Sequence, residues 1–233
     1  MTFNVGNGLA EPSRLVDVLR QTNADVVGLQ ELNAHQAHSL TTGLQDVYPY
    51  QVLIPEGLAG KGMLSRFQLI SHEQLALHSD RPDLAASVQV HGTRLRVIVA
   101  HPPPPRLLGG RIAFDTATLL QLEALAGRAL AHTPSVLLGD FNMTRRNRVY
   151  AQLSAAGLTD AFAVAGIGRG WTMPVRVGNA HIKHRLHRVP LLPVARVDYI
   201  WYTRGLNAES AWLGPDAGSD HLPVLARLSL ADR

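Results

Sequence analysis

Five short apolar runs in this 233-residue chain finish in polar residues of complementary chemistry. Glu31 follows Val26-Val27-Gly28-Leu29-Gln30, and His101 follows Val97-Ile98-Val99-Ala100. Asp140 and Asn142 follow Val136-Leu137-Leu138-Gly139. Asp198 lies between Val197 and Tyr199, and Asp220-His221 lead into Leu222-Pro223-Val224-Leu225. Carboxylate oxygens suit hard divalent cations. An asparagine amide donates to a phosphoryl oxygen without adding negative charge. A histidine carries a proton near neutral pH, with an ordinary pKa of ~6.5. Together these groups are equipped for metal-assisted attack of water on phosphorus. Any one of them alone is more often a turn cap or a structural contact than a ligand; five in one short chain point to chemistry.

Strand ends are rigid platforms for such side chains, so the elements around them matter. Glu11-Pro12-Ser13 opens a helix with Leu15, Val16 and Leu19 as its apolar stripe. Val26–Leu29 reads as a buried strand, and a helical pattern resumes near His35. Strands are expected at 51–54, 62–65 and 85–90, and His91-Gly92-Thr93 makes a hairpin into a strand at 95–100. Pro102–Pro105 is a stiff extended exit, followed by a helix expected over 112–130. A strand at 136–138, a helix over 149–156, a loop-rich basic stretch to Pro193, and strands at 196–202 and 222–230 complete the pattern. Alternating helices and strands early, and strands late, predict one compact α/β domain spanning 1–233. Periodicity by itself does not choose between packed mixed sheets and an open parallel sheet. Thr2-Phe3-Asn4-Val5 looks like the second half of a strand. Either an upstream portion is missing at the N-terminus or the first strand is short.

Composition narrows the classes. The chain has no cysteine, which excludes disulfides, thiolate metal sites and cysteine nucleophiles. No run approaches the ~20 apolar residues of a membrane-spanning helix. The formal charge is +4, and Lys61 and Lys183 are the only lysines. From Ala161 to Val197 there is no acidic residue, while Arg169, Arg176, Lys183, Arg185, Arg188 and Arg196 are cationic. That stretch fits a nucleic-acid backbone, an anionic membrane surface beside Val189–Pro193, or an ordinary solvated loop. The compartment stays open between the cytoplasm and the outer face of a membrane.

The motifs in their order resemble the endonuclease/exonuclease/phosphatase superfamily. Thr2-Phe3-Asn4-Val5 matches its first-strand motif and Leu29-Gln30-Glu31 its Gln-Glu motif. Gly60 to Arg66 is similar to the glycine strand ending Leu-Ser-Arg. Gly139-Asp140-Phe141-Asn142, Arg196-Val197-Asp198-Tyr199-Ile200 and Ser219-Asp220-His221-Leu222-Pro223-Val224 match its later signatures. The resemblance covers almost the whole chain. It implies a four-layered α/β sandwich with two central mixed β-sheets flanked by helices.

It also implies roles. Glu31 is the principal metal ligand, with Asp220 as a second ligand or close supporter and Asn4 and Gln30 near the ion. Mg²⁺ is the first expectation, with Mn²⁺ and Ca²⁺ as alternatives. His221 acts as base towards water, Asp198 orients its imidazole, and Asp140 and Asn142 align water and phosphate. His101 contacts the phosphoryl group, with proton donation to the leaving group left open. Arg66, Arg185 and Arg188 are candidate phosphate contacts.

The expected substrate is an anionic phosphoester, either nucleic acid or phospholipid, and no obligate protein partner is implied. An endonuclease-like phosphodiesterase is the first reading. The alternatives are a membrane-associated lipid phosphate or pyrophosphate phosphatase, a sphingomyelinase-like phosphodiesterase, or a catalytically silent phosphate-binding module. The chain lacks a Pro-Ala-Trp-x-Asp-Arg stretch like that of inositol 5-phosphatases and the Asn-Gly-Leu-Arg-Ala start of abasic-site enzymes.

Overall fold

The computed structural model describes residues 1–108, 110–177 and 189–231. Two six-stranded mixed sheets face each other. The first contains β1 (Thr2–Asn4), β2 (Val26–Gln30), β3 (Tyr50–Ile54), β4 (Lys61–Ser65), β13 (Leu206–Leu213) and β14 (Val224–Leu230), in the order β13-β14-β1-β2-β4-β3. The second contains β5 (Leu69–Leu75), β6 (Asp83–Val90), β7 (Thr93–Ala100), β10 (Ser135–Asp140), β11 (Thr159–Asp160) and β12 (Asp198–Tyr202), in the order β11-β12-β10-β7-β6-β5. A separate hairpin pairs β8 (Arg106–Leu108) with β9 (Arg111–Ala113).

Strand alternation explains the layers. Val27 and Leu29 of β2 join Phe3 in one core, with Leu15 and Leu19 of α1 (Pro12–Thr22) and Leu40 and Leu44 of α2 (Ala34–Leu44). Ile98 and Ala100 of β7 face Leu122 and Leu125 of α3 (Thr116–Leu130), and Val149 and Leu153 of α4 (Arg148–Ala155) belong to the same core. The opposite-facing residues Met63, Val97, Val99, Val136 and Leu138 fill the space between the sheets. The approach is close at Gly28, where a Cβ would lie 2.1 Å from Leu138 Cδ1. The result is helix, sheet, sheet, helix.

Several boundaries differ from expectation. The helix expected over 112–130 begins at Thr116, because Asp115 caps it by accepting from Thr118 N at 2.8 Å, and residues 111–113 form β9. The strand expected from Arg196 begins at Asp198, since Arg196 is drawn aside by a buried ion pair with Asp160. The last strand begins at Val224, two residues later than expected, and Leu222 N donates to Thr172 O instead. β5, β13 and the short α5 (Ala161–Ala165) went unpredicted. β5 is an edge strand with almost every side chain exposed, so it carries no buried alternation to read. No helix among the described residues is long and apolar enough to cross a membrane.

Strand direction decides where the chemistry falls. β1, β2, β7 and β10 end at one end of the sandwich. The antiparallel β4, β6, β12 and β14 begin there. That end therefore collects Asn4, Gln30, Lys61, Asp83, Asp140 and Asp198, and the residues adjoining the strands: Glu31, His101 and His221.

Candidate functional site

The centre of the cluster is Asp140. Its Oδ2 accepts from Asn4 Nδ2 at 3.0 Å, and its Oδ1 accepts from the Asn142 backbone N at 2.8 Å. Oδ2 also lies 3.6 Å from His101 Nε2 and 3.8 Å from His221 Nε2. Asn4 spans two carboxylates, because the same Nδ2 reaches Glu31 Oε1 at 3.2 Å. Glu31 Oε1 in turn is 3.7 Å from His101 Nε2. Residues as distant in sequence as Asn4, Glu31, His101, Asp140 and His221 thus share one site.

Local backbone geometry aims these groups. Glu31 takes a left-handed conformation, φ 56°, at the point where β2 ends, and Asn142 does the same, φ 50°, just beyond β10. Such conformations disfavour ordinary side chains and persist where the surroundings fix them. Asn142 Nδ2 donates to Pro102 O at 3.0 Å, which ties the end of β10 to the segment leaving His101. Gly139 permits the pairing of β7 and β10, since a Cβ there would sit 1.9 Å from Ala100 O. Ser219 Oγ donates to Asn4 O at 2.7 Å and fastens the Asp220-His221 segment to β1.

His221 and Asp198 form a pair, with Nδ1 2.9 Å from Asp198 Oδ2. Burial alone would lower the imidazole pKa, but the Asp198, Asp140 and Asp220 carboxylates outweigh it and hold the value well above the ordinary one. His101 goes the other way. Burial, reinforced by the charges of Lys61 and Arg81, keeps it well below the ordinary value. Burial pushes Asp140 up to about 7, with Asp198 adding to the rise and His221 opposing it. Glu31 is raised by burial and by the negative charge of Asp220, against the hydrogen bond from Asn4.

These carboxylates fit a cation. Asp140, Asp198 and His221 each offer a ligand atom, all within 4.8 Å of one another. Asp198 Oδ2 is already engaged by His221, so the pair is better suited to proton handling than to holding an ion by itself. Glu31, by contrast, faces the charge of Asp220 with a single amide donor, and its side chain is 13% exposed. Buried acids repelling each other beside a solvent-accessible carboxylate are what a divalent ion relieves.

Gln30 is less engaged than expected. Its Oε1 accepts from Thr2 Oγ1 at 3.2 Å, while its Nε2 is buried with no partner among the described residues. Arg66 is not brought to the cluster. It follows the end of β4 that pairs with Val26, at the opposite end of the sandwich, where it pairs with Asp25 and Asn23 and lies over Tyr48. The antiparallel course of β4 is the reason. Arg185 and Arg188, with the rest of the basic stretch at 178–188, lie outside the described residues.

Three charged residues at the site were missed in the sequence. Lys61 is almost fully buried, donates to Ala59 O at 2.8 Å, and is lowered to about 8 by burial. Asp83 accepts from His101 N at 3.0 Å and from Gln121 Nε2 at 2.7 Å, and burial raises it to about 6. Arg81 Nη1 lies 3.3 Å from His101 Nε2. Lys61 and Asp83 are the first residues of their strands. A search of strand beginnings as well as strand ends would have found both.

Comparison with known proteins bears on the family and the fold. The family model described as "Endonuclease/Exonuclease/phosphatase family" matches residues 1–221. The endonuclease/exonuclease/phosphatase from Beutenbergia cavernae aligns with a TM-score of 0.75 at 21% identity, covering 98% of this chain and 70% of that one. D. rerio TDP2 complexed with single strand DNA product aligns at 0.72 and 19% identity, covering 98% and 97% of the two chains. Sphingomyelinase C from Streptomyces griseocarneus aligns at 0.68 and 19% identity, covering 97% of each. At these identities the likeness to the solved structures is one of fold. No curated protein sequence matches the chain.

Proposed function

The chain belongs to the endonuclease/exonuclease/phosphatase family, and on that premise we propose that it hydrolyses phosphodiester bonds with a divalent cation and a histidine–aspartate pair. Family membership and the buried Asp140, Asp198 and His221 cluster support a metal-dependent phosphoesterase. The observation that carries the finer reading is the placement of His221. Its Nδ1 meets Asp198 at 2.9 Å, while its Nε2 lies 3.8 Å from Asp140 Oδ2.

In this reading Glu31 is the principal metal ligand, Asp220 a second ligand or supporter, and Asn4 and Gln30 lie close by. Mg²⁺ is the proposed ion, with Mn²⁺ and Ca²⁺ as substitutes. When bound, the cation neutralises charge on the phosphoryl oxygens as it builds towards the transition state. His221 Nε2 takes the proton from the attacking water. Asp198 keeps the proton of His221 on Nδ1 and stabilises the imidazolium that forms. Asp140 and Asn142 align water and phosphate. His101 contacts the phosphoryl group. Its Nε2 faces the guanidinium of Arg81, always a donor, so this nitrogen accepts in that contact. To contact a phosphoryl oxygen, itself an acceptor, or to protonate the leaving oxygen, His101 must carry its proton on this nitrogen.

Two substrate classes fit the site, nucleic acid and phospholipid. Parallel incubations with plasmid DNA, an abasic duplex, sphingomyelin vesicles and undecaprenyl pyrophosphate separate them, with EDTA and His221→Ala as controls. Metal-dependent cleavage of at least one diester, absent in the variant, is expected. Cleavage that persists in EDTA, or of the pyrophosphate alone, would overturn the phosphodiesterase reading.

A further inference from the structure

Several of the most exposed apolar side chains lie on two segments connected to the site. β8 and β9 join neither main sheet. Within their register Leu107 pairs with Ile112, and the two stand 73% and 78% exposed. Leu108, opposite Arg111, is also exposed. A lone pair of three-residue strands is marginal in water by itself, and packing of these leucines does not explain their presence. A second apolar tip carries Leu192, 88% exposed, and Val194, 66% exposed.

Both tips are tethered to the site. The hairpin leaves His101 through the stiff Pro102–Pro105 segment, and Asn142 Nδ2 holds Pro102 O at 3.0 Å. The second tip is fastened by Leu191 N donating to Val175 O at 2.8 Å, while Val175 N donates to Asp220 O at 3.0 Å. The hairpin thus follows His101 in the chain, and the second segment is bonded through Val175 to Asp220. Their charge is one-sided. No acidic residue occurs between Asp83 and Asp115 or from 161 to 197, and exposed Arg106 and Arg111 flank the hairpin leucines.

We propose that these two tips seat the catalytic face on an anionic lipid surface. Leu107, Ile112 and Leu192 enter the headgroup–acyl boundary, and Arg106 and Arg111 meet the lipid phosphates. Two separate exposed segments suit a fluid surface, which needs no shape complementarity, better than a protein partner. A nucleic-acid backbone would use the arginines and leave the leucines in water. The inference rests on the phosphodiesterase reading for its consequence, that phospholipid headgroups are the phosphoesters delivered to the site.

The test mixes full-chain protein, in EDTA, with sedimentable vesicles of phosphatidylcholine alone or mixed with phosphatidylglycerol. The protein sediments with the mixed vesicles and much less with the neutral ones. The double variant L107D/I112D partitions at least about tenfold more weakly, from the loss of two inserted side chains. R106Q/R111Q loses about 25-fold of the anionic preference, at roughly fivefold per arginine. Ile70→Asp, on β5 and towards the far end of the sandwich, changes nothing. Metal-activated hydrolysis of soluble bis-p-nitrophenyl phosphate is equal in all of them, which also confirms folding. Protein that ignores both vesicle types, or a hairpin variant that binds like wild type, would overturn the proposal. Vesicle binding without diester hydrolysis would uphold the docking and defeat the hydrolase reading; hydrolysis without binding would do the reverse.

Discussion

At the residue scale the proposed hydrolysis depends most on His221. Its pKa is raised because three carboxylates outweigh burial. A folded value above the ordinary ~6.5 means this pairing stabilises the fold fully below that pH. The contribution fades as pH rises through the folded value. The free base needed for catalysis grows over that same rise. Asp198→Asn removes one of those charges and the group that stabilises the imidazolium. Turnover should fall by at least ~10²-fold, and the ascending limb of the kcat–pH profile should move to lower pH. A limb left in place would show that Asp198 does not set the base. Replacing His221 itself with Ala should remove at least ~10²-fold of turnover while leaving the fold intact. The Asp198–His221 pair was legible because both residues border apolar runs. Lys61 and Asp83 were not, since each opens its strand and the apolar run only follows it. Arg66 misled because a motif gives spacing but not the direction in which its strand runs.

Elements hold those residues in register. Asp140 and Asp198 face each other across β10 and β12, and β12 is positioned just ahead of its start by Arg196. Arg196 is nearly buried, bonded to both oxygens of Asp160 and packed over Phe162 and Tyr199. Asp160→Ala strands that guanidinium without a partner and should destabilise the protein by about 3–5 kcal/mol. Urea unfolding checks it, and a loss under ~1 kcal/mol would mean Arg196 finds water or another acceptor. Buried central strands were readable from their apolar runs. The edge strands β5 and β13 were not, because their exposed faces break the alternation. The β8–β9 hairpin escaped for a related reason. Its leucine and isoleucine imitate the start of a helix stripe that continues into α3, and only the Asp115 cap separates them.

For the whole molecule, the charge of Asp220 beside Glu31 means that a cation bound there would add to the stability of the fold. An ion held at a hundredfold over its Kd should add about 2.7 kcal/mol of stability, several degrees in Tm for a chain of this length. Thermal unfolding with and without Mg²⁺ measures this, and Glu31→Gln should abolish most of the shift. An equal shift in the variant would place the ion elsewhere. The two-sheet sandwich itself came from the family resemblance, since alternating strands and helices fit an open sheet as well. What the pattern lacked was strand direction, and direction is what gathers the polar ends at one end of the molecule.

The most direct measurement is a metal titration of bis-p-nitrophenyl phosphate hydrolysis after EDTA treatment, run on wild type, Glu31→Gln and His221→Ala. The account predicts saturable activation in wild type, a midpoint moved to higher metal in Glu31→Gln, and a rate at least ~10²-fold lower in His221→Ala at saturating metal. Equal rates in all three proteins, or hydrolysis indifferent to metal, would contradict it.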